Sequence, residues 1–100
     1  MSEFIVTIKR DGETTTCDPV EVKAAPGDSV QWVCHDGDVA LDFGSTDPFT
    51  SKQVWRARRG DLTPVAIIAS EPQGGKVFTP SISIDGTVVA ESLGGLIIQP

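Results

Sequence analysis

The sequence predicts an all-β, antiparallel-rich sandwich of about 7–8 strands. Three observations predict it. Apolar and polar residues alternate over short runs, so each run buries one face of a sheet. Turn signals built on Gly, Pro and Asp separate those runs at the spacing of a sandwich. The chain of 100 residues is long enough for one core and too short for two, so a single domain is expected over residues 1–100.

The alternating sets follow in order along the chain. Phe4, Val6 and Ile8 open it, followed by Val20, Val22 and Ala24. Val30, Trp32 and Cys34 form the next set, then Val39, Leu41 and Phe43. Later come Val65, Ile67 and Ala69, then Ile82 and Ile84, then Val88 and Ala90, and last Leu96 and Ile98. The intervening positions hold Thr7, Lys9, Glu21, Lys23, Ser29, Gln31, Asp42, Ser81 and Ser83, which suits a solvated face. Asp11-Gly12, Pro26-Gly27-Asp28, Asp36-Gly37-Asp38, Gly74-Gly75 and Asp85-Gly86 supply the turns. The segment 44–62 has no clear alternation. It is expected to hold a strand or one helical turn after Ser51 and to cross between the sheets.

Composition excludes several classes. Fourteen acids against eight Lys and Arg give a net charge of −6, which opposes nucleic-acid binding because phosphates need a basic face. No window approaches the roughly 18 apolar residues of a membrane span. Glu3 and the short run Phe4-Ile5-Val6 do not make a secretory leader, so a cytoplasmic chain is expected. Cys17 and Cys34 are too few for a disulfide scaffold; whether they bond each other depends on how the fold places them.

The stretch VEVKAAPGDSVQWVCHDGDVALDF, residues 20–43, resembles the opening half of a cupredoxin. A strand leads to a Pro-Gly-Asp corner, then to a strand with a Trp, a loop, and a strand ending in Phe. GKVFTPSISIDG, residues 75–86, and GGLIIQP, residues 94–100, are similar to that family's late and last strands. The resemblance implies a Greek-key sandwich. It also implies a blue-copper site of two His, a Cys thiolate and a weak Met, and here the sequence departs from the family. The last-loop region reads Ser81-Ile82-Ser83-Ile84-Asp85, without Cys or His. The single histidine, His35, stands before the usual ligand position, which falls near Val39 or Ala40, and the single methionine is Met1. No copper and no other cofactor is therefore expected. Asp47-Pro48 and Glu71-Pro72 are also similar to the dipeptides of the small bacterial DP-EP family, of uncharacterised function. That likeness implies the same fold and no activity.

Chemistry is sparse. Cys34 and His35 are sequence neighbours, and on a strand neighbours face opposite ways, so they do not make a nucleophile–base pair. Asp36, Asp38 and Asp42 supply oxygen near His35 but lack the spacing of a calcium loop, and turn chemistry accounts for them. There is no phosphate loop, zinc spacing or Ser-His-Asp set, so an enzyme is not expected.

Charge is the uneven feature. Lys52, Arg56, Arg58 and Arg59 are half of the basic residues, and no acid falls within 50–60. That segment carries +4 and the rest of the chain −10. The expectation is a non-catalytic binding or assembly module without copper. Its contact surface would run from Asp47 to Arg59, with Trp55 as an apolar anchor and the basic residues Lys52, Arg56, Arg58 and Arg59 meeting a protein partner or anionic ligand. A homodimer is also open, through this segment or through an exposed edge at Leu96-Ile97-Ile98. The alternative is a metalloprotein or electron carrier with a non-standard site near Cys34 and His35.

Overall fold

The structure is a computed structural model that describes residues 2–11, 14–18, 21–44, 48–51, 53–69, 77–78, 80–88 and 95–98. Among these described residues eleven strands are present: β1 (Glu3–Asp11), β2 (Thr14–Asp18), β3 (Glu21–Ala24), β4 (Ser29–Cys34), β5 (Val39–Asp42), β6 (Trp55–Ala57), β7 (Ala66–Ile67), β8 (Val77–Phe78), β9 (Ser81–Ile84), β10 (Thr87–Val88) and β11 (Gly95–Ile98). Among the described residues there is no α-helix.

One layer has the order β2-β1-β4-β7. Its β1 and β4 are parallel, with Val6 opposite Trp32 and Ile8 opposite Cys34, while β2 and β7 pair antiparallel at the two sides. The other layer comprises β10-β9-β5-β6 and β3-β11-β8. β8 and β9 stand in different sheets, with Pro80 just before β9; Pro cannot donate to a ladder. β2 and β3 likewise stand in different sheets, and Pro19 lies between them in the sequence.

Period-two alternation builds the core. Val6 and Ile8, then Val30, Trp32 and Cys34, then Val39, Leu41 and Phe43 are buried, with Val22, Ala24, Ile82 and Ile84 from the remaining strands. Four of the six aromatic residues meet inside. Trp32 lies 5.7 Å from Phe43, 5.9 Å from Phe49 and 6.4 Å from Trp55 between ring centroids, and Phe49 lies 5.0 Å from Phe43 and 5.5 Å from Trp55. The three contacts of Phe43 and Phe49 with each other, of Phe49 with Trp32, and of Phe49 with Trp55 are edge-on, the arrangement ring quadrupoles favour.

Three expectations change. Val65 and Ile67 are exposed, and Ala66 and Ile68 are buried instead. Val65-Ala66-Ile67-Ile68 is apolar in both phases, so period two alone does not choose a face; pairing does, by setting Ala66 opposite Val30. Val88 is exposed. β11 is not an edge: it pairs in parallel with β3 and antiparallel with β8, so Leu96-Ile97-Ile98 offers no free ladder to a second subunit. The segment 44–62 does cross between the layers. Phe49 bridges to Ile68, β6 joins β5, and Leu62 bridges to Val33.

The Pro26-Gly27-Asp28 corner is held by one side chain. Gly27 takes φ +92°, open to glycine and costly for a residue with a Cβ. Asp28 accepts the Ser2 N–H at Oδ1 (2.8 Å) and the Ala25 N–H at Oδ2 (2.9 Å). Its backbone exchanges with Ile68, whose N–H donates to Asp28 O, while the Gly27 N–H donates to Ile68 O. The two N–H donors from Ala25 and Ser2 hold the Asp28 carboxyl below the usual carboxylate range. The unfolded chain then binds a proton that the native carboxylate refuses, so this contribution to stability is complete above about pH 4 and is lost as pH falls through the depressed native value. In Asp28→Asn the amide NH₂ faces an N–H donor. The melting temperature is expected to fall at neutral pH and to show a weaker decline than wild type between pH 4 and 2, as followed by circular dichroism.

Candidate functional site

Four parts of the chain meet at one end of the sandwich: the last residues of β1, the β4–β5 loop (35–38), the turn after β6 (58–61) and the β9–β10 turn. The last is a two-residue hairpin turn, Asp85-Gly86, closed by Ile84 opposite Thr87. Both turn residues have positive φ, +53° and +81°, as a type I′ turn requires, and Asp tolerates that region better than most residues.

Carboxylates tie these parts together. Asp85 Oδ1 accepts the Asp38 N–H (2.9 Å), and the Asp85 N–H donates to Asp38 O (2.8 Å). Asp38 Oδ1 accepts the Arg59 N–H (2.9 Å), and Asp36 Oδ2 accepts the Arg10 N–H (2.8 Å). Arg59 Nε donates to His35 O (2.9 Å), and the Gly60 N–H donates to Cys34 O (2.8 Å). Gly37 lies beneath the Asp85 carboxyl; a Cβ there would stand 2.6 Å from Oδ2 and 2.8 Å from Cγ. Asp42 Oδ1 accepts the Gly44 N–H (2.8 Å). The acids near His35 are thus engaged with backbone, and among the described residues no group of three His, Cys, Asp or Glu converges as a metal site.

The expected contact residues separate. Trp55 is 1% exposed and packs against Phe49 and Trp32, so it anchors the core and no surface partner reaches it. The reason is alternation: Trp55 faces inward on β6, and Arg56 faces outward. Arg59 is used internally, as above. Lys52 and Asp47 lie outside the described residues, as do both residues of Glu71-Pro72. Arg56 and Arg58 remain exposed, two residues apart on one face.

They flank a shallow groove of about 470 Å³ on the outer face of the second layer, lined also by Asp38, Val39, Ala40, Ala57, Ser83 and Gly86. Pairing explains its shape. Arg56, Ala40 and Ser83 stand side by side across β6, β5 and β9, so two small side chains form the floor beside an arginine wall. Ala40 and Ser83 were not marked by the sequence as site residues; the signal was the run of small residues at outward positions of two strands that pair. Among the described residues, neither the Arg56 nor the Arg58 guanidinium has a hydrogen-bond or ion-pair partner.

A scan against family models finds no match, and a search of curated proteins finds none. Solved structures do match. A pseudoazurin from Sinorhizobium meliltoi is 18% identical, with TM-score 0.52, over 100% of this chain and 76% of its own. A reduced Cu(I) form of an amicyanin variant at pH 4 is 9% identical, with TM-score 0.55, over 97% of this chain and 82% of its own. The fold is cupredoxin-like. At these identities the likeness carries the fold alone.

The donor set does not fit a blue-copper centre. The chain has one histidine, and His35 is exposed while its neighbour Cys34 is fully buried on the core face of β4. Cys34 thus faces the core while His35 faces solvent. Ser81-Ile82-Ser83-Ile84-Asp85 carries neither Cys nor His, and β9 ends in the tight Asp85-Gly86 turn.

Both cysteines are free and buried. Ile8 of β1 pairs with Cys17 on one side and with Cys34 on the other, so a whole strand separates them. Two strand spacings are roughly 9–10 Å, beyond the ~7 Å between Cα atoms that a disulfide spans. Burial pushes the Cys17 thiol up, and Cys34 adds to the shift. Neither thiol is expected to react with a disulfide reagent at pH 8 in the native protein, and both are expected to react in denaturant. Rapid native labelling of either would contradict the placement.

Gly37→Ala is expected to destabilise by about 1–3 kcal/mol through overpacking against Asp85. Adding Asp85→Ala should remove most of that extra cost, which a double-mutant cycle in urea would read as coupling between the two positions.

Proposed function

We propose that this chain is a non-catalytic binding module that works without copper and docks an anionic partner on the outer face of β5, β6 and β9. The observation that carries the reading is the pair of arginines, Arg56 and Arg58, unpartnered among the described residues, beside a floor of Ala40 and Ser83. A guanidinium left without a carboxylate in a chain of net charge −6 is a ready donor for an incoming anion, and its planar fork suits carboxylate or phosphate. The small floor leaves room for that anion above the sheet. The lining has no histidine or cysteine among the described residues, and its one carboxylate, Asp38, already holds the Arg59 N–H, which supports binding over catalysis. Nucleic acid suits the surface poorly, because the remaining −10 repels a polyanion. The cupredoxin scaffold is the support, and function follows from the site it carries.

Nuclear magnetic resonance of labelled protein at low ionic strength tests this. Hexaglutamate is expected to shift the side-chain signals of Arg56 and Arg58 and the amides of Ala40 and Ser83. Affinity should fall at least about tenfold in Arg56→Glu with Arg58→Glu, with circular dichroism unchanged. Arg59 is left intact because it holds the loop. Equal binding by the double variant, or no shift at those positions in wild type, overturns the proposal.

A further inference from the structure

We infer that the anionic partner is an acidic segment of protein in extended conformation, its backbone added as a strand alongside β6 and its acidic side chains turned toward Arg56 and Arg58; this rests on the two arginines of the reading above and places the partner's backbone on the side of β6 away from Ala40 and Ser83. Among the described residues β6 is the last strand of its sheet order, so one row of its backbone N–H and C=O groups is not used by β5. Arg56 lies on β6 and Arg58 just beyond it, two residues apart. That is the repeat at which successive side chains of a neighbouring strand come onto the same face. A strand with acids at alternate positions therefore matches both arginines through one set of backbone bonds.

Charge selects this occupant over a second copy. Pairing β6 with β6 of another molecule in antiparallel register would bring the arginines of one edge against those of the other, with no acid anywhere in residues 50–60 to offset them. The arginines thus oppose self-pairing while favouring an acidic strand, so attraction and exclusion come from the same two side chains. Among the described residues, no other end strand carries two exposed arginines. β7 presents the exposed apolar Ile67, and β3 carries the exposed Lys23 alone among its described side chains.

The test uses the peptide acetyl-Glu-Val-Glu-Val-Glu-amide and two versions N-methylated on alternate amides, one on the glutamates and one on the valines. In strand addition only one set of amides faces β6. The expected result is binding by the parent, at least about tenfold loss in one methylated version and little loss in the other, and slowed hydrogen exchange at an amide within residues 55–58. Equal binding by both methylated peptides overturns strand addition and leaves the anion-binding reading standing. Inorganic phosphate shifting Arg56 and Arg58 while the peptide does not has the same meaning. A dimer in sedimentation that the peptide cannot displace makes a second copy the occupant and overturns the inference. If neither peptide, hexaglutamate nor phosphate moves Arg56 and Arg58, both readings fall together.

Discussion

Trp32 must be covered from the far layer, and much of the architecture answers that demand. Its own layer supplies backbone: Val6 opposite it on β1, and Thr63 on the other side, where β7 does not reach. The Thr63 hydroxyl accepts the Trp32 N–H (3.0 Å) and the Thr63 N–H donates to Trp32 O (2.9 Å), so one buried residue completes the ladder in place of a strand. The far layer and its crossing segment supply the rings of Phe43, Phe49 and Trp55. Those three come from the end of β5, the crossing segment and β6, which explains why 44–62 has to pass from one layer to the other before β6 can pair. A buried Trp contributes an area of roughly 150–250 Å², so a cluster of four aromatic rings outweighs the cost of leaving the Trp55 indole N–H without a partner.

The opposite end of the molecule is organised by a different force. There the loops are held by short carboxylate-to-backbone bonds, with Asp36, Asp38 and Asp85 each serving an N–H on another segment. These caps fix several loops relative to one another above the buried side chains of Ile8, Cys34, Val39 and Ile84 on the strands beneath them. The Asp85-Gly86 hairpin, with both residues at positive φ, keeps the β9–β10 connection to two residues.

The sequence made the sandwich legible because most strands are half-buried, and a half-buried strand writes its orientation as alternation. It failed where that condition failed. At 65–68 both phases are apolar, and only the pairing of Ala66 with Val30 decides between them. At 52–59 the reverse error arose. Trp55 sits among four basic residues, and adjacency in sequence suggested a shared surface, whereas on a strand adjacency means opposite faces. The groove floor was invisible for a third reason. Ala40 and Ser83 are 43 positions apart and become one surface only when β5 and β9 pair. The Pro26-Gly27-Asp28 corner was readable as a turn, but the long-range bond from Asp28 to Ser2 was not, since nothing local indicates which distant N–H a carboxylate will find.

The basic cluster is therefore three things that composition counts as one. Arg59 stands past the end of β6, where the chain turns, and its side chain folds back onto His35 O while its N–H meets Asp38. Arg56 and Arg58 stand on the outward face, where the residues beside them on β5 and β9 are too small to cover a guanidinium. Lone arginines on a surface usually find an acid, and an acidic chain offers many. Among the described residues these two find none, although Asp38 lines the same groove: its Oδ1 accepts the Arg59 N–H, and the carboxylate is held in the loop lock and not against either guanidinium. One cluster of basic residues thus divides between the lock that closes one end of the sandwich and the charged edge beside it.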